Sequence, residues 1–440
     1  MIKKLVLVFI AVFAIQCYAQ QGTASPYSFY GIGSLKFKGT VENRSMGGLS
    51  ILADSIHVNL RNPASYATKN LEGWEGSRPI KFSVGGSYSS INLKSETSSG
   101  NASSTTFDYI ALSVPMGKFG FGFGILPYTS VGYKLESLKD NDDPLNRFKG
   151  EGGVNKTYLG IGYLISKGLS VGVDAHYNFG NIQNSTIEFA YDSDDLLVFY
   201  QSREANRSDL SGLSFNLGLS YNTMLNENLE FVSGITYTPE SNLTSKNERL
   251  FSTVTVSPTT GQEFTVNTIE SDLNAAGLKE TELVMPSKYS FGAGIGKPRK
   301  WFLGAEYSAQ KTSDFSNDLY VFKDENGDLI NKYEDASTIS VGGFFIPRYN
   351  AFEGMLKKST YRAGIRYEKT GLVIKDESIN EFGISFGVGL PLGNGISSAN
   401  LGFEIGKRGT TNNSLIQENF INFQISLSLA DRWFQKQKFR

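Results

Sequence analysis

Apolar residues recur at every second position over long stretches of this chain, and the positions between them carry mostly small neutral polar residues. Val171, Val173, Ala175, Tyr177 and Phe179 alternate with Gly172, Asp174, His176, Asn178 and Gly180. Leu213, Phe215, Leu217, Leu219 and Tyr221 alternate with Ser214, Asn216, Gly218, Ser220 and Asn222, and Ile421 to Leu429 alternate in the same way with Asn422, Gln424, Ser426 and Ser428. A period of two is the signature of a strand with two unlike faces. A soluble sandwich also alternates, but its wet face is rich in lysine and glutamate. A face of glycine, serine and asparagine suits a narrow lumen.

The rest of the composition agrees. After Ile15 no apolar run approaches the roughly 18 to 20 residues that a membrane-spanning helix needs, so any crossing of a bilayer is made by strands. Strands cross lipid only as a closed barrel, because every backbone polar group must be paired inside the wall. Aromatic residues make up 13% of the chain, with 47 glycines and only 19% charged residues.

Met1 to Ala19 has the layout of a secretory signal peptide: Lys3 and Lys4, the apolar run Leu5 to Ile15, and a small residue at Ala19. The single cysteine, Cys17, lies within it, and Ala14, Ile15 and Gln16 before it make a poor lipidation signal. Cleavage after Ala19 is expected to leave no thiol, hence no disulfide framework, cysteine nucleophile or thiolate metal site. Without Lys3 and Lys4, 40 Lys and Arg stand against 43 Asp and Glu. That balance gives no footprint for nucleic acid.

Connections alternate in length. Short turns are expected at Met116 to Lys118, Ser166 to Gly168, Leu225 to Glu227, Gly296 to Arg299 and Leu392 to Gly395, with a longer one at Pro347 to Lys358. Between them lie polar stretches near Lys94 to Ser103, Lys139 to Lys149, Asp192 to Gln201, Val254 to Val284, Ser313 to Ser337, Gly371 to Glu377 and Gly409 to Ser414. Short periplasmic turns taking turns with long external loops predict an antiparallel transmembrane β-barrel of about fourteen strands. That even number puts both termini in the periplasm of a Gram-negative envelope.

The first strand is expected near Pro79 to Leu93. Before it, Gln20 to about Ser77 shows no strand alternation, yet Tyr27, Phe29, Tyr30, Ile32, Met46, Leu49, Ile51 and Leu52 are too apolar for a solvated tail. We expect this segment to fill the lumen. The resulting division is signal peptide 1–19, plug 20–78, barrel 79–434 and a periplasmic tail 435–440.

Asn43-Arg-Ser-Met-Gly-Gly48 followed by Asn62-Pro63-Ala64-Ser65 resembles the N-terminal hatch of the FadL-type outer-membrane transporters of long-chain fatty acids and other hydrophobic compounds. Tyr361-Arg-Ala-Gly-Ile-Arg-Tyr367, Phe386-Gly-Val-Gly-Leu-Pro-Leu392, Gly406-Lys-Arg-Gly409 and Asp431-Arg-Trp-Phe434 are similar to a divergent branch of that family. The resemblance implies fourteen strands, a hatch in the lumen, and a passage that releases a hydrophobic ligand sideways into the membrane. Asn62, Pro63 and Ala64 are its plug motif.

Pro127 interrupts the segment Phe119 to Tyr133, where a proline donates no ladder hydrogen bond. A break in the wall follows. With Gly120, Gly122 and Gly124 on the lumen face, the place resembles the family's lateral opening, or else is a plain bulge.

Chemistry is sparse. Asp324, Asn326 and Asp328 have calcium-loop spacing, but Gly327 is misplaced and an Asn-Gly hairpin turn is expected. Gly292-Ala-Gly-Ile-Gly-Lys297 is followed by Pro298 and reads as a strand end, not a phosphate loop. His57 near Asp54 and Ser55 invites a hydrolase reading that its place in the plug disfavours. His176 and Asp174 share the lumen face as an expected hydrogen-bonded pair. Glu306, Arg362, Arg366, Glu368 and Glu404 are expected to pair plug with wall or to touch a ligand. Tyr27, Phe29 and Tyr30 are expected to pack on the wall or line a ligand.

No catalytic set, metal or cofactor is expected. The reading is passive passage of hydrophobic, fatty-acid-like molecules, with outer-membrane lipid and the ligand as partners. The rival is a related barrel that has given up transport and serves as a structural or docking subunit of an outer-membrane export or assembly complex.

Overall fold

The computed structural model describes residues 22–68, 79–139, 141, 143–257, 259–316, 331–351, 354–393 and 397–431. The leader with Cys17, the Asp324–Asp328 turn, Arg432 to Phe434 and the tail 435–440 lie outside them.

Strand β1 (Ser34–Leu35) lies within the N-terminal segment. The sheet then runs through β2 (Ile80–Lys94), β3 (Ser99–Met116), β4 (Phe119–Pro127), β5 (Thr129–Leu138), β6 (Pro144–Leu164), β7 (Leu169–Glu188) and β8 (Gln201–Asn226). It continues through β9 (Leu229–Thr238), β10 (Ser241–Val256), β11 (Glu263–Glu270), β12 (Glu280–Met285), β13 (Lys288–Lys297) and β14 (Trp301–Gln310). The last strands are β15 (Asn331–Tyr333), β16 (Ala336–Phe345), β17 (Thr360–Ile374), β18 (Glu377–Leu392), β19 (Ser397–Arg408) and β20 (Gln417–Asp431).

Every pairing is antiparallel, and β20 pairs with β2 from Ile80↔Asp431 to Lys94↔Gln417, which closes the barrel. Four staves are each made of two strands in line: β4 with β5, β9 with β10, β12 with β13, and β15 with β16. With β1 and β11 outside the wall, the wall has fourteen staves. Pro127, Pro239 and Pro286 stand at three of the four joints, where a residue without an N–H ends one ladder and the chain restarts in a new direction.

The alternation sorts residues as the sequence requires. Leu213, Phe215, Leu217 and Tyr221 of β8 are each at least 40% exposed on the outside, whereas Ser214, Asn216 and Ser220 are buried. Such an outward apolar belt fits the lipid-facing surface of a transmembrane barrel. Among the described residues no helix is long and apolar enough to cross a membrane.

The loops differ from expectation at one end. β2 stops at Lys94 as expected, but β3 begins at Ser99, ahead of the expected Ser103, and β17 runs on past Gly371, so the connections shrink to residues 95–98 and to the two-residue turn Lys375–Asp376, both of these at positive φ (50° and 63°) as a tight hairpin requires. The loop expected at Val254 to Val284 contains β11. The reason is physical: outside the apolar belt a strand needs no apolar face, so polar sequence keeps pairing. β8 is 26 residues long, where about 9 to 11 suffice to cross.

Candidate functional site in the barrel lumen

The described residues 22–68 pack on the inner face of the wall, with Val41, Leu49, Val58 and Tyr66 at 2% exposure or less. Their approach to the wall is set by glycines. A Cβ on Gly172 of β7 would lie 2.4 Å from the Pro63 carbonyl carbon, and one on Gly120 of β4 would lie 1.8 Å from the Tyr66 carbonyl oxygen. Only a bare backbone admits the segment. Asn62 then fixes it, its Nδ2 donating to the Leu219 carbonyl of β8 at 3.0 Å while its Oδ1 accepts the Ala64 N–H at 3.0 Å. Gly120 and Gly122 therefore face Tyr66, and Gly124 faces Tyr158.

A second contact is built at Val41–Arg44, one helical turn followed by Gly47 and Gly48 at φ of +71° and +92°. Side chains are rarely tolerated there. The bend brings the Gly47 N–H to Ser385 Oγ at 2.9 Å and lets Asn43 Nδ2 donate to the Leu49 carbonyl at 2.6 Å.

Around these turns lies a lattice of buried charge. Arg366 of β17 donates to Glu368 at 2.8 Å, to Glu381 of β18 at 2.6 Å and to Glu404 of β19 at 2.7 Å. Lys38, from the N-terminal segment, reaches Glu368 at 3.0 Å and Glu381 at 2.6 Å. Arg44 stands 3.4 Å from Asp108 and 3.5 Å from Glu404. Arg61 pairs with Glu306 at 2.7 Å, and Glu306 also accepts the Ser50 N–H at 2.7 Å. The Glu42 carboxylate accepts from Asn400, Ser426 and Ser428 at 2.6, 3.0 and 3.2 Å, and Arg362 holds Asn400 Oδ1 at 3.3 Å. The structure thus brings Arg366, Glu368 and Glu404 together and places Glu306 and Arg362 in separate contacts.

The aromatic residues of the segment pack on the wall. Phe29 meets Tyr133 and Phe148 edge-on at 5.2 and 5.8 Å, and Tyr27 donates to the Ile416 carbonyl at 2.5 Å. Tyr30 lies against the Tyr27, Leu372, Ile374, Ile379 and Leu415 cluster.

Two expectations about histidine change. Asp174 and His176 are not a hydrogen-bonded pair: Nε2 stands 3.9 Å from Oδ2, and Asp174 Oδ2 is turned instead toward Asn216 Nδ2 of β8 at 3.5 Å. Asp54, His57 and Ser398 line up at 2.7 and 3.0 Å, distances that would suit a relay. Ser398, however, is 4% exposed and its Oγ is turned toward the N-terminal segment, so no substrate carbonyl reaches it. The row fastens segment to wall, and Lys81 strengthens it by donating to the Asp54 and His57 carbonyls at 2.9 and 2.8 Å.

The third stave is broken at Tyr128. β3 pairs with β4 only from Ile110↔Ile125 to Met116↔Phe119. Among the described residues β5 pairs with β6 and with β1, not with β3. The Lys36 N–H donates to the Tyr128 carbonyl at 2.9 Å, so β1 covers the inner side of the break. Beside it a cavity of about 130 Å³ is lined by Tyr27, Tyr30, Ile32, Tyr128, Tyr333 and Leu372, with Lys38 and Glu368 at its wall.

Sequence reasoning missed Lys38, Glu42, Arg44, Arg61 and Asp108. It also missed Glu381, which parity could have found, since Glu381, Gly383, Ser385 and Gly387 alternate with Phe382, Ile384 and Phe386.

The fold is a closed fourteen-stave antiparallel β-barrel that matches the FadL-like barrels. Among solved structures, the Ralstonia pickettii toluene transporter TbuX superposes with a TM-score of 0.58 at 16% identity, covering 89% of this chain and 98% of that one. The Pseudomonas putida toluene transporter TodX gives 0.58 at 15%, covering 91% and 99%, and a Pseudomonas aeruginosa FadL homologue gives 0.53 at 12%, covering 89% and 97%. At such identities the likeness is one of fold. No curated protein matches the sequence. The BamG family model matches residues 1–440, and the chain belongs to the BamG family.

Proposed function

We propose that this chain, a divergent branch of the FadL-type barrels, is a docking subunit of an outer-membrane export or assembly complex. In this reading both termini lie in the Gram-negative periplasm, residues 20–78 form a plug that holds the wall of 79–434 shut, and no covalent chemistry takes place. The lattice around Arg366 carries the reading. Removing one partner of such a buried pair costs about 3 to 5 kcal/mol, and a hydrophobic compound crossing the lumen would have to part several at once. A plug so fastened serves rigidity.

The second reading is passive transport of hydrophobic small molecules; TbuX and TodX, which share the fold, are toluene transporters. The break at Tyr128 beside a partly apolar cavity favours it.

Gentle detergent extraction from the native membrane, followed by mass spectrometry of co-purifying lipids and proteins, separates the two. A stoichiometric protein partner without ligand is expected. A bound apolar ligand without a protein partner would overturn the docking reading in favour of transport.

A further inference from the structure

Above the apolar belt β6, β7, β8 and β10 continue as a sheet that ends in β11. The outward aromatic ring of β9 nearest the loops is Tyr237, and Leu250, where β11 pairing begins, lies thirteen residues further on. At about 3.3 Å per residue and a tilt of about 40°, that is about 30 Å beyond the belt.

β11 runs Glu263-Phe-Thr-Val-Asn-Thr-Ile-Glu270 and pairs, among the described residues, only with β10. Its other edge presents backbone N–H and C=O groups. Natural edge strands are blunted by lysine, proline or bulges, and β11 has neither lysine nor proline. A bulge at Val266, which faces no residue of β10, is its one irregularity. Phe264 and Ile269 are 53% and 64% exposed, and Phe251 opposite Ile269 extends the apolar surface.

The edge is held rigidly. Glu263 is paired with Lys149 and lies 3.5 Å from Arg147 and 3.7 Å from Arg203, Arg203 donates to Thr265 Oγ1 at 3.0 Å, and Arg147 donates to the Gly261 carbonyl at 3.2 Å. Around it Glu270, Asp272, Glu280 and Glu282 are exposed against Lys246 and Lys279, an excess of two carboxylates. That excess repels the phosphates of a lipid headgroup and attracts a cationic polypeptide.

We infer that β11 is an accepting edge for an extended segment of a partner protein in which lysine or arginine accompanies apolar side chains. This rests on the docking reading. The segment adds a strand to the sheet, backbone hydrogen bonds supplying affinity and the carboxylates orientation.

The test places a photo-cross-linking phenylalanine analogue at Ile269 in native membranes and sequences the linked peptide. A link to a basic, extended segment of one protein is expected; a link to lipopolysaccharide, to this chain or a second copy, or no link overturns the inference. In parallel, Ile269→Lys should reduce recovered partner at least tenfold and more than Ile269→Glu, with the barrel still heat-modifiable on gels. Undiminished partner with Ile269→Lys rejects this surface and leaves the subunit reading standing, whereas no partner with the unaltered chain rejects the subunit reading itself.

Discussion

Arg366 and Glu381 stand on neighbouring staves of the inner wall, 2.6 Å from guanidinium nitrogen to carboxylate oxygen, each with its side chain 7% exposed. Because Arg366 also serves Glu368 and Glu404, it is the hub on which three carboxylates depend. Arg366→Ala should cost about 3 to 5 kcal/mol, since it strands buried charge. Arg366→Lys should cost less, keeping the charge and losing the fork. The shift in denaturant midpoint of the heat-modifiable barrel measures both, and equal losses would remove the fork from the account.

Gly172 leaves no room for a side chain beneath Pro63. Gly172→Val should therefore lift residues 62–67 from the wall while the staves still close. Limited proteolysis reads this as faster cleavage within residues 22–68, with the barrel intact.

Glu42 gives the packing of residues 40–60 a pH dependence. Burial raises its pKa, but the charges of His57 and Arg362 and the hydrogen bond from Thr40 outweigh burial and hold the carboxyl below its ordinary 4.5. A depressed carboxyl contributes stability above its unfolded pKa and loses it as pH falls through the folded value. Protection of residues 40–60 from hydrogen exchange, taken relative to the intrinsic rate at each pH, should be high at pH 7 and fall below pH 4.5. Glu42→Gln should exchange faster at pH 7 and respond less to acid.

Ser34 and Ser130 face each other where β1 covers the wall break. A disulfide between Ser34→Cys and Ser130→Cys should form readily and leave partner recovery unchanged, because a docking subunit needs no opening there. Loss of uptake of a radiolabelled long-chain fatty acid on oxidation, restored by reductant, would instead point to passage through the break.

Much of the wall was legible in the sequence, because a period of two assigns every residue to lipid or lumen once one strand is assigned. That placed Asp174, Glu306, Arg366 and Glu404 inside, and Pro127 marked the broken stave. The partners were not legible. Lys38 meets Glu381 across 343 positions of sequence, and no local pattern records such a pairing. Strand ends were misjudged near Ser103 and Gly371 because the polarity read as loop only marks where lipid stops. For the same reason β11, wholly outside the belt, had no signal.

The partners of Glu42 are Asn400, Ser426 and Ser428, which follow it by 358, 384 and 386 residues and belong to the last two staves. In a chain made from its N-terminus, Glu42 lacks these three donors until the final hairpin arrives and β20 zips onto β2. Sealing the cylinder and anchoring its contents are thus one event. An intermediate that lacks its last hairpin holds a loose interior, which gives quality control a ready difference between finished and unfinished barrels.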